Sequence, residues 1–197
     1  LRVYQTNSTH KSMSALRHGS MVLVGDEDFG HHEQAFKEAV FTHTSTSPNL
    51  QIIASLDVAR RQMELEGYEL VMGSIQNALE IRREVNRHPL VSKYFRVLDP
   101  VDMIPAEYRP SGFRNFYAPG VTWAEVLRSF QQDEFVLDPT RLTVVCGNAG
   151  LNGSQLKGLL SDRFDIQINK TSRNSILVQT NINNTHSDAA LLIKALA

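Results

Sequence analysis

Residues 8–11 read Ser-Thr-His-Lys and stand between an extended run in which apolar and polar residues mix, residues 1–6, and an apolar run, residues 21–24. Short apolar runs bounded by polar residues predict strands, here at 1–6 and 20–24, so Lys11 is expected on a loop between two strands. A lysine amine, with a pKa of about 10.4, must be partly desolvated or near another cation before it attacks an aldehyde. Lys11 is therefore a candidate Schiff-base lysine.

The residues beside Lys11 suit a phosphorylated cofactor. The hydroxyls of Ser8 and Thr9, nearby backbone N–H groups and the imidazole of His10 can all donate to a phosphate. A surface turn of four ordinary polar residues is the alternative that so short a motif leaves open. Longer segments of the chain are needed to decide between the two.

Four longer segments carry a family resemblance. In chain order they are STHKSMSALRHGSMVLV (8–24), FTHTSTSPNLQIIASLDVARRQMELEGYELV (41–71), EFVLDPTRLTV (134–144) and DRFDIQINKTSRNSILV (162–178). The chain resembles the bacterial ornithine/lysine/arginine decarboxylases that use pyridoxal 5'-phosphate (PLP), over roughly residues 1–197. The most specific parts are S-x-H-K at 8–11 and H-T-x-T-S-P at 43–48. The resemblance implies a PLP-dependent carboxy-lyase with an aspartate-aminotransferase-like fold.

The resemblance also implies a role for each candidate residue. Lys11 would carry PLP as a Schiff base, Ser8 and His10 would hold its phosphate, and Lys11 or His10 would return a proton after carbon dioxide leaves. Ser45 would reach across a homodimer, or a larger homo-oligomer, to the phosphate of the cofactor bound by the partner. Arg173 would bind the substrate carboxylate, with a solvated hairpin arginine as the alternative. No metal is expected.

The implied reaction is the decarboxylation of arginine, lysine or ornithine to an amine and carbon dioxide, a step of polyamine metabolism. Two other functions stay open: an aminotransferase of the same fold, and a non-catalytic dimerisation piece. The second is open because the family's cofactor-stacking histidine and pyridine-binding aspartate lie on segments upstream of the lysine. The chain also begins at Leu1, without methionine and inside a predicted strand, so a piece of a longer protein is expected.

Composition limits the partners. The formal net charge is −1 and no long basic run occurs, which argues against nucleic acid or an anionic membrane as a partner. Cys146 is the one cysteine, so no intrachain disulfide can form, in keeping with a cytoplasmic location. No apolar run approaches the ~20 residues that span a bilayer. The expected ligand is a small molecule.

The expected fold class is α/β. Residues 1–100 are expected to be the C-terminal part of a PLP-binding large domain, residues 101–132 a connection, and residues 133–197 a small α/β domain with an antiparallel-leaning sheet. Periodicity and turn residues predict helices at 31–42, 49–65, 68–87, 154–163 and 187–196, and strands at 94–98, 134–137, 142–146, 165–168 and 175–180. The second and third helices could be one bent helix with a break at Gly67.

Three further patterns have structural explanations. Residues 185–188 read Thr-His-Ser-Asp, which has the spacing of a capping box and marks the start of the last helix. Four arginines are expected on solvated helix faces: Arg60, Arg61, Arg82 and Arg83. The glycines at 147, 150 and 153 lack the G-x-G core of a nucleotide-binding loop, so that function is excluded.

Overall fold

The computed structural model describes residues 1–197, apart from the side chain of Ser12. Its contacts divide the chain into two units, residues 1–70 and residues 71–197. The strands are β1 (Arg2–Asn7), β2 (Met21–Asp26), β3 (Arg96–Val97), β4 (Arg141–Val145), β5 (Lys170–Thr171) and β6 (Ser175–Gln179). The helices are α1 (Thr9–Ser12), α2 (Phe29–His43), α3 (Leu50–Arg87), α4 (Pro100–Met103), α5 (Trp123–Gln132), α6 (Gly153–Phe164) and α7 (His186–Leu196).

The first unit begins with an antiparallel hairpin. β1 pairs with β2 so that Arg2 lies opposite Asp26 and Asn7 lies opposite Met21. Tyr4 Oη donates a hydrogen bond to Asp26 at 2.7 Å, on the same pair of strands. The two predicted strands are thus confirmed. The predicted loop is wrong in one detail, because Lys11 lies in the one-turn helix α1.

One long helix follows, where two helices or one bent helix were predicted. α3 runs without interruption through 38 residues, which is about 57 Å at 1.5 Å per residue. Gly67 does not break it, since a glycine inside a helix costs only about 1 kcal/mol relative to alanine. The Asn49 side chain accepts from the backbone N–H groups of Gln51 and Ile52 and so caps the first turn.

The second unit is built on a four-stranded sheet in the order β3-β4-β6-β5, in which every pair is antiparallel. This confirms the mixed α/β class and the antiparallel sheet. Side chains of the sheet pack with α6, α7 and the second half of α3 in one core. Its most buried members are Ala78, Val85, Val91, Val97, Leu142, Val144, Cys146, Leu156, Leu160 and Ile176.

Gly153 is needed where α6 meets the β5–β6 hairpin. A Cβ at this position would lie 2.3 Å from the carbonyl oxygen of Ser172 and 2.4 Å from that of Ser175. The Gly153 N–H also donates to the carbonyl of Arg173. The glycine therefore allows close packing between α6 and the hairpin.

Three predicted elements differ from the structure. Residues 134–137 form no strand, and Phe135 and Val136 are about half exposed. Residues 165–168 form the turn that ends α6, because Asp165 adopts a left-handed conformation with φ of 54° and Ile166 N–H bonds back to Leu160. The expected connection contains α5, which begins at a capping box formed by Thr122 and Glu125.

The predicted domain boundaries at residues 100 and 132 stay predictions. β3, from the region before residue 100, pairs with β4, from the region after residue 132. The contact division falls instead after Leu70. None of the described helices is both long and apolar enough to cross a membrane.

The structure contradicts the predicted position of Arg82 on a solvated helix face. Its side chain is fully buried, whereas Arg60, Arg61 and Arg83 are exposed as predicted. Arg82 forms an ion pair with Asp99 at 3.3 Å and donates to the backbone carbonyls of Leu98 and Arg141. Its guanidinium carbon also lies 5.1 Å from the centre of the Phe116 ring. An arginine on one helix face thus joins α3 to the sheet.

Neighbouring contacts complete this junction. Asn86, one turn further along α3, donates to the carbonyl of Val97 and accepts from its N–H at 2.8 Å. Val97 belongs to β3, an edge strand, so Asn86 satisfies backbone groups that the sheet leaves open. Burial raises the pKa of the Asp99 carboxyl to about 6, although the nearby Arg82 lowers it.

Replacing Arg82 by methionine should destabilise the chain strongly. The Arg82→Met variant leaves Asp99 buried without its cation, and breaking a buried pair in this way costs about 3–5 kcal/mol. Urea denaturation at neutral pH should show a loss of this size. Arg83→Met is the matched control, because Arg83 is half exposed and pairs with Glu84 at the surface, where a pair contributes about 0–1 kcal/mol. Equal losses in both variants would contradict the role given to the buried pair.

The loss in Arg82→Met should also depend on pH. A pKa raised from 3.8 to about 6 means that the folded state binds the Asp99 proton more tightly than the unfolded state does. The stability from this group is therefore fully present below the unfolded pKa and is lost as pH rises through about 6. Without Arg82 the pKa rises further. The free energy of unfolding of Arg82→Met, relative to Arg83→Met, should be lower at about pH 7.5 than at about pH 5. A difference that stays constant over this range would exclude Asp99 as the cause.

Candidate functional site

The candidate site is the lysine loop, defined as residues 8–19, which follows β1 and precedes β2. Thr9 is 3% exposed and anchors its start. The Lys11 N–H donates to the Ser8 carbonyl at 2.9 Å, and the Met13 N–H donates to the Thr9 carbonyl at 3.0 Å. These two bonds close the single turn of α1 and fix the direction of the Cα–Cβ bond at position 11.

The ring of His10 is fixed by the other end of the loop. The carbonyl of Gly19 lies 2.9 Å from His10 Nδ1 and accepts a second bond from the His10 backbone N–H. Because a carbonyl oxygen can only accept, Nδ1 carries a proton in this arrangement. The other ring nitrogen, Nε2, is therefore the one that can contact a ligand. The His18 ring packs edge-on against the His10 ring, with 6.1 Å between the ring centres.

The loop is also attached to the first half of α3. The Leu16 N–H donates to Ser55 Oγ at 2.9 Å, and that hydroxyl donates in turn to the Ile52 carbonyl. Gly19 is buried, and a Cβ there would lie 2.7 Å from Leu56 Cδ2 and 3.1 Å from the Leu16 carbonyl oxygen. Ser55 and Gly19 thus hold the shape of the loop.

Lys11 itself is exposed and forms no ion pair with any side chain that the structure describes. Lys37 differs, because its ammonium group is paired with Glu33 at 2.7 Å. A lysine without a carboxylate partner keeps its amine available for a ligand. The backbone at Lys11 is held by the hydrogen bond from its N–H to the Ser8 carbonyl, and its side chain is exposed.

The structure places the predicted site residues in three different segments. Ser8, His10 and Lys11 lie together in the lysine loop. Ser45 is exposed between α2 and α3, where its Oγ accepts from the Ser47 N–H at 3.1 Å. Arg173 is exposed in the β5–β6 turn of the second unit. The roles predicted for all five residues stay predictions.

Sequence reasoning did not identify Ser55 or Gly19. Ser55 acts through a hydrogen bond to Leu16, 39 residues away in the sequence, and Gly19 acts through its backbone carbonyl. A small residue at position 19, directly before the second strand, was the one available signal, and nothing in the sequence singled out Ser55. Sequence-local features, such as the Ser-x-His-Lys spacing, were easier to recognise.

The residues present fit one end of a PLP molecule. Lys11 offers an unpaired amine, and Ser8 and His10 offer polar groups on the same turn. The lysine loop contains no aspartate or glutamate that could face a pyridine nitrogen. Among the described residues no group of three or more His, Cys, Asp or Glu side chains could hold a metal ion. The groups of the loop therefore fit the aldehyde and phosphate ends of PLP, and the loop offers no acidic partner for its pyridine ring.

The fold and this loop define a mixed α/β protein with an exposed lysine on the turn between two antiparallel strands. The family model described as Orn/Lys/Arg decarboxylase, major domain, matches residues 2–188. The chain belongs to this decarboxylase family.

Individual relatives agree with the family match. The chain is 30% identical to the lysine decarboxylase of Hafnia alvei over 98% of its length, and 29% identical to the constitutive lysine decarboxylase of Escherichia coli over 98%. It is 28% identical to the arginine decarboxylase of Bacillus cereus over 78% of its length. The crystal structure of the Francisella novicida lysine decarboxylase matches 99% of the chain at 26% identity, with a TM-score of 0.69.

The chain spans about a quarter of the length of these relatives. It covers 26% of the Hafnia protein, and 27% of the E. coli, B. cereus and F. novicida proteins. The similarity therefore concerns the segment around the lysine and the residues that follow it. What the complete relatives catalyse is carried over to this chain only as a proposal.

A methyl group added at Gly19 should disturb the lysine loop. In Gly19→Ala the new Cβ meets Leu56 and the Leu16 carbonyl, so the bond from the His10 N–H to the Gly19 carbonyl should weaken. Hydrogen exchange of the His10 amide should become about tenfold faster, for a cost on the order of 1 kcal/mol. The matched control is Gly25→Ala in β2, where an added Cβ has nothing within 4 Å.

A second substitution makes this experiment specific. In the double variant Gly19→Ala, Leu56→Ala the contact with Leu56 is removed, and part of the protection of the His10 amide should return. Unchanged exchange in Gly19→Ala, or equal acceleration in Gly25→Ala, would contradict the anchoring role of Gly19.

Proposed function

We propose that this chain is part of a PLP-dependent enzyme that decarboxylates a basic amino acid to the corresponding amine and carbon dioxide. The observation that carries the proposal is Lys11: an exposed, unpaired lysine in a Ser-x-His-Lys turn between two strands, in a chain of the Orn/Lys/Arg decarboxylase family. Lys93, Lys170 and Lys194 are also exposed and have no ion pair with the described side chains, so the Ser-x-His-Lys turn and the family match are what single out Lys11.

PLP, when bound, supplies an aldehyde for a covalent bond to an amine and a ring that accepts the electrons left by the departing carboxylate. Lys11 would bind the cofactor through Nζ, and Ser8 Oγ would donate to its phosphate. His10 would bind a phosphate oxygen, or return a proton to the substrate carbon, through Nε2. Both roles need a proton on Nε2, and therefore the charged imidazole ring, since Nδ1 already donates to Gly19.

The proposed assembly is a homodimer or a larger homo-oligomer. In it, Ser45 of the partner subunit would donate to the phosphate of the cofactor held by Lys11. This role is supported by the position of Ser45 on an exposed loop with several hydroxyl residues. Arg173, exposed on a hairpin turn, is proposed as a contact for the substrate carboxylate. A cytoplasmic location remains part of the proposal.

Lysine is the first substrate to test, with arginine and ornithine beside it. Four relatives named as lysine decarboxylases align with 98% of the chain and another with 41%, whereas three named as arginine decarboxylases align with 78%. The head groups of these amino acids are cations, so acidic residues are expected to recognise them. An aminotransferase would instead release a keto acid, which product analysis separates from an amine and carbon dioxide.

A second candidate function is a non-catalytic piece of such an enzyme. The observation in its favour is that the chain covers about a quarter of the length of its relatives. Its lysine loop also lacks an acidic residue for the pyridine ring. In that case the chain would bind PLP weakly, and decarboxylation would require the further residues that the relatives contain.

The proposal predicts a covalent cofactor bond at Lys11. Incubation of the chain with PLP, followed by borohydride reduction, should add one reduced cofactor to the intact mass. Lys11→Ala should lose this adduct, and Lys37→Ala, the matched control, should keep it. Amine release from lysine should then fall at least about a thousandfold in Lys11→Ala. An adduct of equal yield in Lys11→Ala would refute the assignment of this lysine.

A further inference from the structure

The second unit contains a cavity of about 240 Å³ that the proposed reaction does not use. It lies between residues 111–118 and the first half of α5. Its apolar wall is formed by Phe113, Ala118 and Val121, and its charged groups come from Arg114, Glu125 and Arg128. Pockets for drug-sized ligands measure roughly 300–1,000 Å³, so this cavity suits a smaller metabolite.

The walls of the cavity are held by hydrogen bonds within the unit. Ser111 donates to Asp133 through both its N–H and its hydroxyl, at 2.8 and 2.7 Å. The buried Arg109 donates to the carbonyl of Phe113. Asn115 Oδ1 accepts from the Ala118 N–H at 2.7 Å. A ligand would therefore meet a preformed surface, at little cost in ordering the protein.

The charged groups of the cavity are not all used by the protein. Arg114 and Arg128 are exposed, and neither guanidinium has a hydrogen-bond or ion-pair partner within the described part of the chain. Glu125 is partly used, because its Oε2 accepts from the N–H and hydroxyl of Thr122. Two arginines without a hydrogen-bond or ion-pair partner thus line one small cavity, together with a glutamate whose carboxylate is held by Thr122.

Several other exposed arginines of the chain are already paired. Arg60, Arg83 and Arg96 each lie beside a carboxylate that neutralises them. Guanidinium groups bind carboxylates and phosphates through planar, two-point hydrogen bonds, and a neighbouring aromatic ring can contact an apolar part of the same ligand. Phe113 provides such a ring, and its position is fixed by edge-to-face packing on Phe116 at 5.1 Å.

We propose that this cavity binds a small organic oxyanion, a carboxylate or a phosphate ester, through Arg114 and Arg128, with its apolar part against Phe113 and Val121. The ligand has a short apolar portion, because three of the lining side chains offer no polar group. This site is separate in sequence from the lysine loop and does not depend on the function proposed for Lys11.

The test is calorimetric titration of the full chain at low salt with three probes: benzoate, phenyl phosphate and inorganic phosphate. Benzoate or phenyl phosphate should bind at least several-fold more tightly than inorganic phosphate, since only these two have a ring for the apolar wall. Tighter binding of phenyl phosphate identifies a phosphate ester as the ligand class, and tighter binding of benzoate identifies a carboxylate. Sodium chloride at the same ionic strength should give no heat of binding.

Variants of the chain test whether a probe binds at this cavity or at other positively charged side chains. The double variant Arg114→Gln, Arg128→Gln should weaken binding of the better probe by about tenfold or more, which is the loss expected for two charged hydrogen-bond donors. Arg163→Gln, at an exposed arginine of α6 outside the cavity, should bind like the original chain. Ala118→Leu, which fills the cavity and keeps both arginines, should also weaken binding.

The outcomes are distinguishable from those of the lysine experiment. A probe bound at the lysine loop would be lost in Lys11→Ala and kept in the arginine double variant. Three results would overturn the proposed cavity site: no probe binds more tightly than chloride, the double variant binds unchanged, or Arg163→Gln loses as much as the double variant. Thermal unfolding of each variant verifies that the fold is retained.

Discussion

The structure of residues 71–197 depends on burying one ion pair, Arg82 with Asp99. Removing two charges from water costs several kcal/mol for each ion, and further hydrogen bonds offset part of this cost. Here Nη1 and Nη2 of the guanidinium donate to two backbone carbonyls and the group lies over the ring of Phe116, while its buried Nε has no hydrogen-bond partner among the described residues. These contacts join α3, the residues after β3, the start of β4 and the aromatic cluster around Phe113 and Phe116. One buried arginine thus fixes the positions of several segments that are separated in the sequence.

The sequence predicted elements whose signals are local. The strands β1, β2, β4 and β6 and the helices α6 and α7 were expected from alternation, periodicity and the capping box at Thr185, and the structure contains them. The predictions at 134–137 and 165–168 were wrong because a short apolar run needs a partner strand, and these runs have none among the described residues. Arg82 was misjudged because helical spacing reports which face a residue occupies, and not what packs against that face. Burial of a charge depends on distant residues, Asp99 and Arg141, and no local pattern contains them.

The same distinction holds for the candidate site. The spacing of Ser8, His10 and Lys11 is local, and it led directly to the turn on which these residues lie. The bonds that shape the turn, from His10 to Gly19 and from Leu16 to Ser55, join positions 9 and 39 residues apart. The partners that these bonds use, the carbonyl of Gly19 and the hydroxyl of Ser55, belong to residues that no motif would select. The chemistry of the loop could therefore be proposed from the sequence, while the contacts that support the loop required the three-dimensional structure.

A free cation alone does not make a site, since Arg163 of α6 is also exposed and is not among the residues that line the cavity. Lys11 and the arginine pair Arg114 and Arg128 each combine an unpaired charge with a structured setting, the turn of α1 for Lys11 and the cavity for the two arginines. The lysine loop is held by backbone hydrogen bonds and by contact with α3, and the cavity wall is held by Ser111 and Arg109. In both places the supporting bonds avoid the charged group itself. A ligand can bind such a charge without first breaking an ion pair, and the charge is already held in position. The full interaction energy between the ligand and the charge therefore contributes to binding.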